Sequence, residues 1–104
     1  MPRAHIALIE DDPVFQSVVR QYLVNSGYDV CCADNGKQGI KLCQEQCPDI
    51  VLCDLKLPDI DGLEVIEQLL KACTQIPIIV ISASEKMSDI REAVRLGAWD
   101  YLVK

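Results

Sequence analysis

The sequence predicts an α/β domain: a five-stranded parallel sheet with helices on both faces. Three observations lead there. Short apolar runs and amphipathic stripes alternate five and four times along the chain, the pattern of successive strand–helix–strand units. One run, Ile78-Ile79-Val80-Ile81, is too apolar to be exposed on either face, as in a parallel sheet covered on both sides. The 104 residues make one small domain, which can bury roughly 60–70% of its unfolded surface.

Ile6 to Ile9 is the first apolar run and is read as a buried strand. Asp12-Pro13 follows, a capping carboxylate with proline at the first helical position. Val14, Phe15, Val18, Val19, Tyr22 and Leu23 then recur along one helical face, and Gly27 is expected to end that helix. Tyr28 to Ala33 reads as the second strand. Asn35-Gly36 is a turn or cap, Ile40, Cys43 and Cys47 mark the inner face of a second helix, and Pro48 stops it. Ile50 to Cys53 is the third strand, and Leu63, Ile66, Leu69 and Leu70 give a third helix. Ile76-Pro77 breaks that pattern before the fourth strand. Met87, Ile90, Ala93 and Val94 form a fourth helix ended by Gly97, and Tyr101 to Val103 is the fifth strand. Trp99 falls outside the helical stripe, in the turn before that strand, and is expected near the surface. There are no repeats, linkers or low-complexity tracts.

The net charge is −6. Nucleic acid or an anionic membrane as a direct partner would call for a basic face, so the balance argues against both. It suits a bound cation, or a basic protein surface as partner. No apolar run approaches the about 18 residues that span a bilayer. Met1-Pro2-Arg3-Ala4-His5 leads into only four apolar residues before Glu10, which is no secretory leader, so a cytoplasmic address is expected. Six cysteines, Cys31, Cys32, Cys43, Cys47, Cys53 and Cys73, show no zinc spacing. Cys31 and Cys32 are adjacent and would face opposite sides of a strand. Reduced thiols serving as small apolar side chains is the reading adopted.

The stretch VLCDLKLPDIDG, residues 51–62, carries the chemistry. An apolar strand runs straight onto Asp54, and an unpaired buried charge is costly. Ligands of open α/β sheets bind beyond the carboxyl ends of the strands. Standing there are Glu10, Asp11 and Asp12 after the first strand, Asp54 after the third, Ser82, Ala83 and Ser84 after the fourth, and Lys104 after the fifth. If the first and third strands are neighbours, Glu10, Asp11 and Asp54 share one crevice, where they would raise one another's pKa values. Helix capping explains Asp12 but leaves the other acids unexplained. A divalent cation removes the repulsion, and an all-oxygen donor set suits Mg²⁺. Asp54 would keep one oxygen free, and a carboxylate can act as a nucleophile toward phosphorus. Lys104 supplies a point charge for a transferring phosphoryl group, and the Ser82 hydroxyl a hydrogen bond.

The blocks IEDD (9–12), CDLKLPDIDG (53–62), ISAS (81–84) and DYLVK (100–104) resemble, in order and spacing, the receiver domain of bacterial two-component response regulators. The resemblance covers the whole chain. It implies a flavodoxin-like sheet of order 2-1-3-4-5. It implies that Asp54 is the phosphoacceptor and Asp11 a direct Mg²⁺ ligand, with Glu10 holding a metal-bound water. The backbone carbonyl of Lys56 would be a further ligand. Ser82 matches the hydroxyl that moves to meet the phosphoryl group, Lys104 the lysine that pairs with it, and Tyr101 the aromatic that swings inward on activation. Pro58 and Gly62 match the turn that shapes the loop after the third strand. Glu10 stands where Asp is commoner.

The family's proline after the lysine and its fifth helix are absent from residues 1–104. The domain is therefore expected to be cut before that helix and to continue past Lys104. A chain ending there would be barely stable, or would bury the gap as a homodimer. The stretch from Ser82 to Lys104 also resembles receivers of adaptor-type regulators that control a stress sigma factor. The implied partners are a histidine kinase or phosphotransfer protein on one side and an effector domain or output protein on the other. No separate substrate is turned over, so the chain is not expected to be an enzyme.

Three other readings compete. A haloacid-dehalogenase-type phosphatase also uses a strand-end aspartate with Mg²⁺, but places a second Asp two residues on, where this chain has Lys56. A flavin or nucleotide module needs a phosphate cradle after the first strand, where this chain has Glu10-Asp11-Asp12. A pseudo-receiver would bind protein without phosphorylation.

Overall fold

The computed structural model describes residues 3–72 and 75–104. The sequence readings on Met1, Pro2 and Cys73 lie outside the described residues. The elements run β1 (His5–Ile9), α1 (Pro13–Asn25), β2 (Asp29–Ala33), α2 (Gly36–Gln46), β3 (Ile50–Cys53), α3 (Gly62–Ala72), β4 (Ile78–Ser82), α4 (Met87–Leu96) and β5 (Asp100–Val103). The five strands form one parallel sheet of order β2-β1-β3-β4-β5, so the expected topology holds.

Local chemistry sets the element boundaries. Asp12 caps α1, its Oδ1 accepting from the N–H groups of Val14 at 3.0 Å and Phe15 at 3.4 Å. Asn35 caps α2 through the N–H of Gln38 at 2.9 Å. The helix ends reach one or two residues less far than the glycine and proline signals suggest. Helix α1 stops at Asn25 with Ser26 as its cap, and Gly27 takes the left-handed turn that follows. Helix α2 stops at Gln46, because Cys47 already adopts a left-handed conformation before Pro48.

The two faces of the sheet are covered unequally. Ala7, Ile9, Val51, Cys53, Ile78 and Val80 pack in one core with Val65, Ile66 and Leu69 of α3 and Ala93 of α4, and Cys43 of α2 joins them. On the other face Ile6, Leu8 and Leu52 meet Val19 and Leu23 of α1, with Ile79 and Ile81 only half-buried. The six-residue stripe expected of α1 therefore divides. Phe15, Val19 and Leu23 turn inward, while Val14, Val18 and Tyr22 are 72%, 63% and 72% exposed. A stripe built from adjacent pairs is too wide for one ridge to bury against the sheet. Leu102 and Val103 of β5 are also exposed, as is Trp99, in the turn where exposure was expected. Cys31 and Cys32 do point to opposite faces, and Cys31, Cys32, Cys47 and Cys53 are free thiols.

Gly62 locks the start of α3 beneath the end of β3. Its N–H donates to the Leu55 carbonyl at 2.8 Å. A Cβ there would stand 2.5 Å from Leu55 Cα and closer still to the carbonyl oxygen of Asp54. Both obstacles are backbone, so neither can swing away. Gly62→Ala should destabilise the fold by about 1–3 kcal/mol, the range for forcing extra atoms into a packed site. Urea unfolding of the two proteins measures it; an unchanged midpoint would mean the loop has room to shift.

Candidate functional site

The parallel register brings the strand ends level. Ile9 pairs with both Ala33 and Cys53, and Ser82 pairs with Val103, so Glu10, Asp54, Ser82 and Lys104 all stand at one edge of the sheet. Each backbone is tied to its neighbour: Glu10 N–H to the Ala33 carbonyl, Asp54 N–H to Ile9, and Lys104 N–H to Ser82, at 2.9–3.0 Å. The central strands β1 and β3 are adjacent, as the shared crevice requires.

Glu10 is 1% exposed and Asp54 5%. Lys104, whose side chain is 20% exposed, donates from Nζ to Glu10 Oε1 at 2.9 Å, Glu10 Oε2 at 3.1 Å and Asp54 Oδ2 at 2.9 Å. Asp11 stands exposed at the mouth. Carboxylate oxygens of Glu10, Asp11 and Asp54 lie within 4.8 Å of one another, the one such metal-competent group among the described residues. Three acids thus face a single ammonium. Glu10 registers the imbalance: its carboxyl is pushed up to about 7, first by burial. The Lys104 hydrogen bond works the other way, and the Asp54 carboxylate adds to the rise. Burial opposes the charge on Lys104 too, but Asp54 and Glu10 outweigh it and hold its pKa above the usual value. Oxygen donors with surplus negative charge fit a hard divalent cation such as Mg²⁺. Lys56 lies beside them, its N–H donating to Asp54 Oδ1 at 3.2 Å.

The family model described as the response regulator receiver domain matches residues 6–104. This chain belongs to that family. Among its relatives are the Regulator of RpoS of Escherichia coli (strain K12), 35% identical over 99 residues, and the probable C4-dicarboxylate response regulator DctR of Bacillus subtilis (strain 168), 36% identical over 101. Each alignment covers 95% of this chain but only 29% and 45% of those two proteins, so the chain spans less than half their length. Similar solved structures include a CheY-like receiver domain protein from Methanospirillum hungatei JF-1, with a TM-score of 0.95 at 24% identity over 99% of this chain and 82% of that one. The BeF3-activated receiver domain of Klebsiella pneumoniae RstA gives 0.90 at 28% identity, over 96% and 85%. No helix among the described residues of this receiver domain is long and apolar enough to cross a membrane.

In this receiver domain Ser82 and Tyr101 meet through a residue to which the sequence assigned no bonds. Ser82 is fully buried, and its Oγ accepts from the Ser84 N–H at 3.2 Å. Tyr101 Oη donates to the Ser84 carbonyl at 2.8 Å, and Ser84 Oγ donates to Asp89 of α4 at 2.6 Å. Ser84 Oγ also accepts from Lys86 N–H at 3.3 Å. Two polar residues escape the sequence reading, which does place Ser84 at this edge. Gln16 Nε2 donates to the Glu10 carbonyl at 2.8 Å and to Asp34 Oδ1 at 3.0 Å, pinning the loop after β1. Gln16 falls in the polar gap of the α1 stripe, between Phe15 and Val18, so nothing in the pattern marks it. Asp59 accepts from the N–H groups of Gly36 at 2.8 Å and Lys37 at 2.9 Å, fastening the loop after β3 to the start of α2.

Desolvation works against the Asp59 charge, but the N–H groups of Lys37 and Gly36 outweigh it and hold the carboxyl below the usual range. A depressed folded-state pKa stabilises the fold above the unfolded value of about 3.9, and that contribution is lost as pH falls through the folded value. Asp59→Asn should therefore lower the unfolding midpoint at neutral pH, and the difference should close under acid. Chemical unfolding of both forms across that range tests it, and a gap independent of pH would contradict it.

Proposed function

We propose that this receiver domain is a phosphorylation switch whose acceptor is Asp54. The observation that carries the reading is a carboxylate buried to 5% exposure at a strand end, with an ammonium 2.9 Å away and two further acids within 4.8 Å. The donor is phosphohistidine on a histidine kinase or phosphotransfer protein. An Asp54 oxygen attacks phosphorus, the P–N bond breaks, and its electron pair leaves with the imidazole, which takes up a proton. Lys104 compensates charge on the phosphoryl oxygens. Ser82 accepts from the Ser84 N–H, which leaves its own proton to donate to one of them. Glu10, Asp11, Asp54 and the Lys56 carbonyl would hold Mg²⁺, which when bound neutralises charge on the transferring group.

Ser82 reaching for the phosphoryl group would disturb its bond to Ser84, and with it the tethers from Ser84 to Tyr101 and Asp89. The loop after β4 and helix α4 are thus the two-state element that phosphorylation biases. The output is an effector segment or partner protein, and the place of action is the cytoplasm. The chain acts on itself rather than turning over a separate substrate. Lys56, where a phosphatase of the dehalogenase type carries its second aspartate, speaks against the enzymatic alternative.

Acetyl phosphate with Mg²⁺ should add one acid-stable, base-labile phosphoryl group, and Asp54→Asn should abolish it, as read by intact mass. Undiminished labelling of the Asn form would place the acceptor elsewhere. No labelling of either form would favour a binding module without phosphorylation. Mg²⁺ titration should show Asp11→Asn losing more affinity than Glu10→Gln, whose loss through a bound water should be about 10–100-fold. The reverse order would exchange the two roles.

A further inference from the structure

We propose that Phe15 is a positioning residue for Lys104, holding its ammonium over the acidic site by a cation–π contact. What the lysine does there rests on the phosphoacceptor reading; the contact itself does not. Lys104 Nζ lies 4.5 Å from the centroid of the Phe15 ring, within the about 6 Å over which the ring quadrupole attracts a cation. The same nitrogen donates to Glu10 and Asp54, so the ring supplies a further side of its cage.

The bland reading makes Phe15 one more apolar residue of the α1 stripe. The packing speaks against it. Val19 and Leu23 of that stripe join the core beneath α1, whereas Phe15 belongs to neither core cluster. It is only half-buried, and the ammonium is its charged neighbour. Its place is set locally: its N–H donates to the Asp12 side chain that caps α1. The cap that starts the helix therefore also places the ring.

A lysine stem is long and rotamer-rich, and fixing it costs side-chain entropy. Two carboxylates alone would draw the ammonium down between them. A ring on the α1 side gives it an attractive partner that carries no net charge and does not compete for an incoming phosphoryl group. With the side chain only 20% exposed, the contact is largely screened from water, where such contacts are strongest.

Phe15 is the only phenylalanine in the chain. Biosynthetic replacement of phenylalanine by mono-, di- and trifluoro-phenylalanine therefore alters this one ring, draining its face of electron density with little change of shape. The rate of labelling by acetyl phosphate with Mg²⁺ should fall stepwise along that series, by about three- to tenfold in all. Phe15→Leu should be as slow as the trifluoro form, and Phe15→Tyr should restore the rate. The fluorine resonance of the monofluoro protein should move when Lys104→Met removes the ammonium. Equal rates across the series, with unchanged circular dichroism, would overturn the proposal, as would an unmoved resonance. If the unmodified protein takes no phosphoryl group, the phosphoacceptor reading fails, and the fluorine resonance still decides the contact.

Discussion

Two nearly dry carboxylates, Glu10 and Asp54, answer to one ammonium, Lys104, and the rest of the molecule is arranged around that shortfall of positive charge. The three residues are 44, 50 and 94 positions apart in sequence. Only a parallel sheet with β1 and β3 side by side puts them on one edge. Such a cluster is a poor device for stability, because desolvating several charges costs about as much as their attraction returns. Its value lies in what it leaves unfinished. The carboxylates remain in surplus, and the site is complete only when a cation or a transferring group enters it.

Directional bonds, more than packing, hold this edge in place. The core beneath it is ordinary apolar burial, to which the loop after β3 adds Leu55, Leu57 and Ile60, whereas the loops after β1 and β4 are short of apolar anchors. Gln16 holds the loop after β1, Asp59 the loop after β3, and Ser84 the loop after β4. Each acts through a few hydrogen bonds of modest net value, about 0.5–1.5 kcal/mol apiece. Loops held in this way can change conformation without disturbing the sheet. That is the property a switch requires, and the deep apolar packing around Val65 and Ile66 does not have it.

Much of this was legible in the sequence, for identifiable reasons. Strand ends announce themselves when an apolar run stops on a charge or a hydroxyl, so Glu10, Asp54, Ser82 and Lys104 are legible in the sequence alone. Capping chemistry is equally local, which is why Asp12 and Asn35 were found. What stayed hidden depends on rotamers and long-range approach. Nothing in the one-dimensional pattern tells Phe15 from Val19, yet one meets an ammonium and the other a core. Asp59 in a Pro-Asp turn looks like solvent-facing loop chemistry until α2 is seen to begin beside it. The breadth of the α1 stripe misled for the same reason: periodicity reveals a face, but not how much of it the sheet can cover.

The unequal cover of the sheet has a consequence for how the site comes apart. Glu10 and Asp54 follow strands flanked on both sides, whereas Tyr101 lies in β5, an edge strand with one neighbour and mostly exposed side chains, and Lys104 directly follows it. Cooperative opening units follow such differences in protection. Peeling β5 from β4 breaks a single ladder and leaves the acidic half standing. The countercharge and the tether on the β4 loop would depart together, as one thermodynamic unit. In this architecture the capacity to neutralise the acceptor and the capacity to hold the switch loop rise and fall on the same edge strand.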